Sequence, residues 1–282
     1  MRQLIPIDEA RDIILQNPIS LNHEKVCISN SLNRVLAEPI IARENLPPFN
    51  RSPLDGYAVC TSDLTTASED NPITLNIIEE VPAGKVSNES LTKGTAIKVT
   101  TGACLPSGAD AVIPFEKTEF TITTVKITEP LQPNSNISFA GEDVAVGEQV
   151  IPANTIITPE RIGMLAALGY SKVQVFRKPK IALLSTGDEL INLDEPLAPG
   201  KIRNSNLYTL AAMVKKLGGD PVLLGIVSDS LEDTAAMLQE ASQYDLVITT
   251  GGVSVGDYDV VKDAMTKIGA ELLFWRVNIR PG

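Results

Sequence analysis

Apolar positions along this chain follow two different periods, and the changes between them divide it into segments. In IDEARDIILQ, residues 7–16, Ile, Ala and Leu recur at helical spacing with Asp8 and Glu9 in the first turn, and Asn17-Pro18 closes the run. That predicts a first helix. The stretch ISNSLNRVLAEPI predicts a second helical piece from Ser29 to Leu36. From about residue 46 the texture becomes proline, glycine and short β-rich runs: ITLNIIEEV, GTAIKVTTG, ADAVIPF and FTITTVKIT. Turns at regular intervals between such runs predict an all-β insert. Mixed character returns at GEDVAVGEQVIPANTIITPERIGMLAALGY, which ends in a predicted helix from Pro159 to Leu168 with Pro in its first turn and Gly169 after its end. RKPK at 177–180 reads as a boundary.

Beyond it, KIALLS ends at Ser185 and DLVITT ends at Thr250, each almost continuously apolar. A strand buried on both faces of a parallel sheet has that pattern. Helical patterns cover Asn206 to Leu217, Leu231 to Ser242 and Tyr258 to Ile268, so the predicted order is βαβαβα, with ELLFWRVNI as a fourth strand. Two turns, STGDEL at 185–190 and TTGGVSVGDYD at 249–259, follow directly on the apolar runs. They therefore lie at the carboxyl ends of parallel strands, where glycines admit close backbone approach and helix N-termini offer unpaired N–H groups to anions.

At 282 residues the chain is long enough for two or three domains. Its three cysteines, Cys27, Cys60 and Cys104, are scattered without metal-ligand spacing, which argues against a disulfide framework or a zinc site and suits a reducing cytoplasm. No stretch approaches the roughly 18 apolar residues of a spanning helix, so no membrane role is expected. A net charge of −11, without lysine and arginine clusters, argues against nucleic acid. His23 is the sole histidine, which removes most schemes built on Ser-His-Asp, Cys-His or zinc. Chemistry here has to run on carboxylates, hydroxyls, lysine, arginine and a metal; an acidic pocket that binds an anion implies a divalent cation.

Taken singly, the candidate residues each carry two readings. Gly251, Gly252 and Gly256 form turns or admit a ligand, Ser254 offers a hydroxyl, and Asp257 caps the next helix or ligates a metal. Asp188 and Glu189 are solvated turn acids or ligands. In the proline-rich loop PPFNRSPLDGYAV, Asp55 either forms a turn into the strand YAV or presents a carboxylate from a rigid support. Thr100 and Thr101 are strand-end threonines or oxyanion donors, Cys104 a packing residue, and Lys117 a surface charge or an anion contact. Arg276 and Arg280 fall on one side of a strand, as rim charges or as a phosphate grip beside the glycine turns.

In combination they point one way. PPFNRSPLDGYAV, TTGACLPSGADAVIP, FAGEDVAVGEQV, STGDEL, the SD of GIVSD, TTGGVSVGDYD and FWRVNIRPG, in that order, resemble the molybdopterin molybdenumtransferase family (MoeA, and the E domain of gephyrin) from about residue 5 to the last residue. The resemblance implies an α/β multidomain fold. An elongated linker and dimerisation domain would comprise 1–45 and 140–177, a β-rich inserted domain 46–139, and a molybdopterin-binding domain 178–282, three-layered with a mostly parallel sheet. Family members continue past Gly282 with the rest of that domain and a small β-barrel, so an incomplete third domain and a chain inactive by itself are expected.

The implied activity is insertion of molybdenum from molybdate into adenylylated molybdopterin, with Mg²⁺ and release of AMP. Asp55, Thr101, Asp143, Glu189, Asp229 and Asp257 match the family's catalytic positions, with Glu189 and Asp257 as metal ligands. Thr186, Gly187, Asp188, Gly251, Gly252, Ser254, Gly256, Arg276 and Arg280 match substrate-binding ones; the two arginines stand where some members have lysine, which changes the hydrogen-bond geometry. The resemblance further implies a cytoplasmic homodimer in which Asp55 and Thr101 act on the other subunit's site, with molybdopterin adenylyltransferase or other cofactor-pathway proteins as candidate partners. A non-catalytic dimeric molybdopterin-binding scaffold is the competing reading. The related pterin adenylyltransferase lacks the β-rich insert, and residues 46–140 speak against it.

Overall fold

The computed structural model describes residues 2–251 and 260–279. The chain divides into two compact units, one formed by Met1–Val26, Asn33–Ala37 and Gln174–Gly282, the other by Cys27–Leu32 and Glu38–Val173. It opens with strand β1 (Arg2–Ile5) and helix α1 (Ile7–Leu15). Asp8 and Glu9 sit in the first turn of α1, at the positive end of its dipole, and the Asn17 amide donates to the Ile13 carbonyl at 2.8 Å, closing the other end. The helix expected from Ser29 to Leu36 does not form. Only a single 3-10 turn, Ile28–Asn30, is present. The Ser31 hydroxyl donates to the Ile28 carbonyl at 2.7 Å, and Asn33 takes a left-handed φ of 61°, a conformation that ends a right-handed helix.

The second unit is built on six strands: β2 (Gly56–Val59), β3 (Ile73–Val81), β4 (Thr95–Val99), β5 (Ala111–Pro114), β6 (Thr118–Phe120) and β7 (Thr124–Ile127). Their spatial order is β5-β2-β4-β3-β7-β6, with β3 and β4 parallel and every other pair antiparallel. The β-rich runs of the sequence thus become strands. Strand β2 is buried throughout because alternate residues serve opposite faces. Tyr57 and Val59 pack with Leu75, Ile113, Val125 and Ile127, whereas Ala58 packs with Val81, Ile97, Val99 and Val112. Each large apolar side chain buried in this way contributes about 1.5–3 kcal/mol. Gly56 is required by proximity: a Cβ there would lie 2.1 Å from the Ile113 carbonyl oxygen. The same unit holds helix α2 (Pro159–Ala167), which is capped by the Thr158 hydroxyl and followed by Gly169 at φ 75°.

The chain then alternates strand and helix: β8 (Lys180–Thr186), α3 (Ser205–Lys216), β9 (Asp220–Val227), α4 (Leu231–Ala241), β10 (Leu246–Thr250), α5 (Val260–Lys267) and β11 (Phe274–Val277). β8 lies at the centre of a parallel sheet of order β9-β8-β10. Its inward alternation makes three layers: Ala182 and Leu184 meet Ala235, Leu238, Ala241 and Ala264 of α4 and α5, while Leu183 meets Leu207, Ala211 and Val214 of α3. The expected fourth strand exists, but its partner differs. β11 pairs in parallel with β1, in the register Leu4↔Arg276, and not with the three-stranded sheet. An apolar run signals a strand without naming its neighbour, and the N-terminal strand supplies the ladder here.

Candidate functional site

In the β-rich unit the antiparallel register Gly56↔Val99 sets Asp55, just before β2, against the residues just after β4. Asp55 Oδ1 accepts the Thr101 N–H at 2.6 Å and the Thr101 hydroxyl at 2.9 Å. The backbone donor, and after it the hydroxyl, hold the carboxyl below the usual aspartate range; Lys98 adds a smaller Coulombic pull. Asp55 is therefore anionic and aimed, as a carboxylate on a rigid loop can be. Ser52, buried beneath it, donates to the Leu54 carbonyl at 2.5 Å and stiffens that loop.

Thr100 is an ordinary strand-end threonine, its hydroxyl accepting the Ala83 N–H at 2.9 Å. Lys117 is a surface charge, 2.7 Å from Glu129, and Cys104 is half-buried. Asp143 is exposed in its turn, held by its N–H to the Leu46 carbonyl at 3.0 Å. No hydrogen bond or ion pair among the described residues joins it to Asp55.

The other unit gathers the turns at the carboxyl ends of its sheet. β8 and β9 end in register at Thr186↔Val227, which places Asp188 beside Asp229. The two clasp reciprocally, each carboxylate accepting the other's backbone N–H at 3.3 Å. Lys201 donates to the Asp188 carbonyl from the following loop. Glu189 folds its carboxylate back over Gly187, where a Cβ would meet Oε2 at 2.4 Å; Gly187 has φ 141°. No hydrogen bond among the described residues ties that carboxylate. From β10, Gly251 at φ 85° brings its backbone so near that a Cβ would lie 2.1 Å from the Thr186 carbonyl oxygen. The glycine demanded by the turn is thus a glycine demanded by contact.

The ends of β8 and β10 also hold a polar cluster, in which Thr186 is a candidate residue of the sequence and Asn204 is one that the motifs did not single out. Ser185, Thr186 and Asn204 are all buried. Ser185 Oγ is 2.8 Å from Thr250 Oγ1 and donates to Asn204 Oδ1 at 3.1 Å, while Asn204 Oδ1 also accepts the Leu207 N–H, capping α3. Asn204 Nδ2 and Thr186 Oγ1 have no partner among the described residues. An Asn-Ser-Asn run before a helical period signals the cap, but not the unpaired amide.

Arg276 is exposed on β11, paired with β1, and so does not stand in a strand beside the glycine turns. Gly252, Ser254, Gly256, Asp257 and Arg280 lie outside the described residues. Among the described residues, no three His, Cys, Asp or Glu side chains form a group able to hold a metal. Carboxylate oxygens are nonetheless the donor chemistry of Mg²⁺, which is held by one or two carboxylates together with substrate phosphates. The Glu189 carboxylate, without a hydrogen-bond partner among the described residues, fits that use.

Fold and site together define a multidomain α/β protein with polar and glycine-bearing turns at the carboxyl ends of a parallel sheet. The family model for the MoeA N-terminal region (domain I and II) matches residues 5–169, and that for the probable molybdopterin binding domain matches residues 182–282. The molybdopterin molybdenumtransferase of Bacillus subtilis is 41% identical over 286 residues, and that of Staphylococcus epidermidis 40% over 282. Both alignments take in 100% of this chain and 66% and 67% of those relatives, so the chain spans about two thirds of their length. Among solved structures, a molybdopterin biosynthesis MoeA protein of Pyrococcus horikoshii superposes with a TM-score of 0.88 at 34% identity, covering 99% of this chain and 70% of that one. The chain belongs to the MoeA family.

Proposed function

We propose that this protein works in molybdenum cofactor biosynthesis, inserting molybdenum from molybdate into adenylylated molybdopterin with Mg²⁺ and releasing AMP. The observation that carries this reading is the clasp of the Asp188 and Asp229 turns at the ends of adjacent parallel strands, with the Glu189 carboxylate beside Gly187 and without a hydrogen-bond partner among the described residues. The names of its relatives supply the ligand class.

Glu189 and Asp257 would hold the cation, which when bound neutralises charge developing on the leaving phosphate. Asp188 and Asp229 fix the turn by satisfying each other's N–H groups, so that Glu189 is presented at a constant height. Gly187 and Gly251 allow the close packing of the turns, the first under the Glu189 carboxylate and the second against the Thr186 carbonyl. Asp55, kept anionic by Thr101, accepts a hydrogen bond from a donor of the substrate and orients it. The dithiolene sulfurs that take up molybdenum belong to the pterin, so no cysteine is required. The protein acts as a homodimer in which Asp55 and Thr101 of one protomer serve the partner's site.

Incubation with adenylylated molybdopterin and molybdate, set against molybdopterin with ATP, tests the reaction. For the protein taken to the full length of its relatives, molybdate-dependent AMP release in the first mixture and no adenylylation in the second is the expected result, with Glu189→Gln at least a hundredfold slower. AMP release indifferent to molybdate would overturn the proposal. For the shared site, mixed and re-equilibrated Asp55→Asn and Glu189→Gln proteins should recover activity that neither has separately.

A further inference from the structure

We propose that Asn204 is a ligand-binding residue of this site, its side-chain amide donating to a phosphate oxygen of the substrate at the N-terminus of α3. The inference rests on the functional reading above. Its starting point is a proton count. Ser185 has one hydroxyl proton and gives it to Asn204 Oδ1 at 3.1 Å, so in the 2.8 Å contact with Thr250 it must accept. Protons therefore run from Thr250 to Ser185 to Asn204 Oδ1. That oxygen also takes the Leu207 N–H at 3.3 Å and so has two donors for its two lone pairs.

The amide orientation follows from this. Turning Asn204 over would set its NH₂ against the Leu207 N–H, so the oxygen end is fixed and Nδ2 is the end left over. Nδ2 is buried and has no partner among the described residues, in a residue only 3% exposed. Thr186 Oγ1, on the neighbouring residue of the same strand end, is likewise buried and without a partner. Native structures seldom leave two buried polar groups unpaired at one place, and such groups call for an explanation.

Three further features give that explanation a chemical direction. Asn204 is the N-cap of a twelve-residue helix, whose dipole and first N–H groups favour a negative ligand. Ser185, Thr186 and Thr250 end parallel strands β8 and β10, where ligands of open α/β sheets collect. Gly251, the residue after β10, lies with its backbone against the Thr186 carbonyl, so β8 and β10 end together at this point. Nδ2 can only donate, and the Thr186 hydroxyl has a proton free to give, so the missing partner is an acceptor. A phosphate ester or phosphoanhydride oxygen is an acceptor of matching charge.

Two substitutions separate binding from capping. Asn204→Asp retains an oxygen for the Leu207 N–H and the Ser185 hydroxyl but replaces the donor with an acceptor; Asn204→Ser retains a capping oxygen and deletes the amide. Calorimetric titration of the full 282-residue chain with AMP, molybdopterin and adenosine should show both variants at least tenfold weaker for the two phosphate-bearing probes. Adenosine affinity and thermal midpoint should stay within error for Asn204→Ser even where a buried aspartate lowers stability. Wild-type affinity for AMP and molybdopterin in a folded Asn204→Ser protein would overturn the role of Asn204 alone, and would indicate an internal water as the amide's partner. Failure of the wild-type chain to bind either phosphate-bearing probe would overturn the functional reading and this inference with it.

Discussion

Replacing Asp245 by Asn should loosen the sheet that carries the acidic turns, and should do so only above acid pH. Asp245 receives both arms of Arg177, at 2.5 and 2.6 Å, and the Lys180 N–H at 2.7 Å, while its own N–H returns to the Lys180 carbonyl at 3.0 Å. It therefore pins the start of β8 to the start of β10, the two strands whose far ends present Thr186 and Gly251. The Arg177 fork, helped by the Lys180 N–H, lowers its carboxyl from 3.8 to about 2 against the opposing effect of desolvation.

At 1.36 kcal/mol per pKa unit that difference is about 2.4 kcal/mol. Side-chain exposures of 32% for Arg177 and 15% for Asp245 let solvent screen the pair, so about 1–1.5 kcal/mol is the expected loss. The folded pKa is the lower one, so this stabilisation is complete well above 3.8 and disappears as pH falls through about 2. Trp275, the sole tryptophan, belongs to the same unit and reports its urea unfolding by fluorescence. Wild type should exceed Asp245→Asn at pH 7 and converge with it near pH 2. A gap that is absent at pH 7, or that persists unchanged into acid, would refute the reasoning.

Gly251→Ala places a methyl 2.1 Å from a backbone oxygen at φ 85°, so the left-handed cost of about 1–2 kcal/mol comes on top of a clash that only backbone movement relieves. Molybdopterin binding should fall at least tenfold, and retained affinity in a titration would show that the approach of Gly251 to Thr186 is dispensable. Thr101→Val removes the hydroxyl bond to Asp55 and leaves the backbone one, so the Asp55 carboxyl should titrate higher than in wild type yet remain below 3.8. Carbon-13 NMR of the carboxyl resonance measures this directly; an unmoved titration would mean that the hydroxyl is not an effective donor to Asp55.

What could be read from the chain follows from the range over which each signal acts. The apolar runs of β8 and β10 and the capped periods of α3 and α4 are local, and they appear where their patterns put them. Gly251 after its strand was legible as a turn former or a close approach, although what it approaches, Thr186, depends on a neighbour distant in sequence; the contact of Gly56 with Ile113 was not read from the chain. β11 marks the limit: FWRV reads as a strand, yet its ladder is completed by Arg2–Ile5, so Arg276 is carried by a strand outside the ladder of the glycine turns. The Ser29–Leu36 segment failed for the opposite reason, since a helical spacing of apolar residues was outweighed locally by Ser31 and Asn33.

Asn204 combines both kinds of information. Its cap is visible in the run Asn-Ser-Asn ahead of an apolar period. That the amide has no partner among the described residues follows from the order in which Ser185, from one strand, takes a proton from Thr250, on another, and passes its own to Asn204. A serine or aspartate would cap α3 as well, so only a demand on the amide distinguishes asparagine at this position.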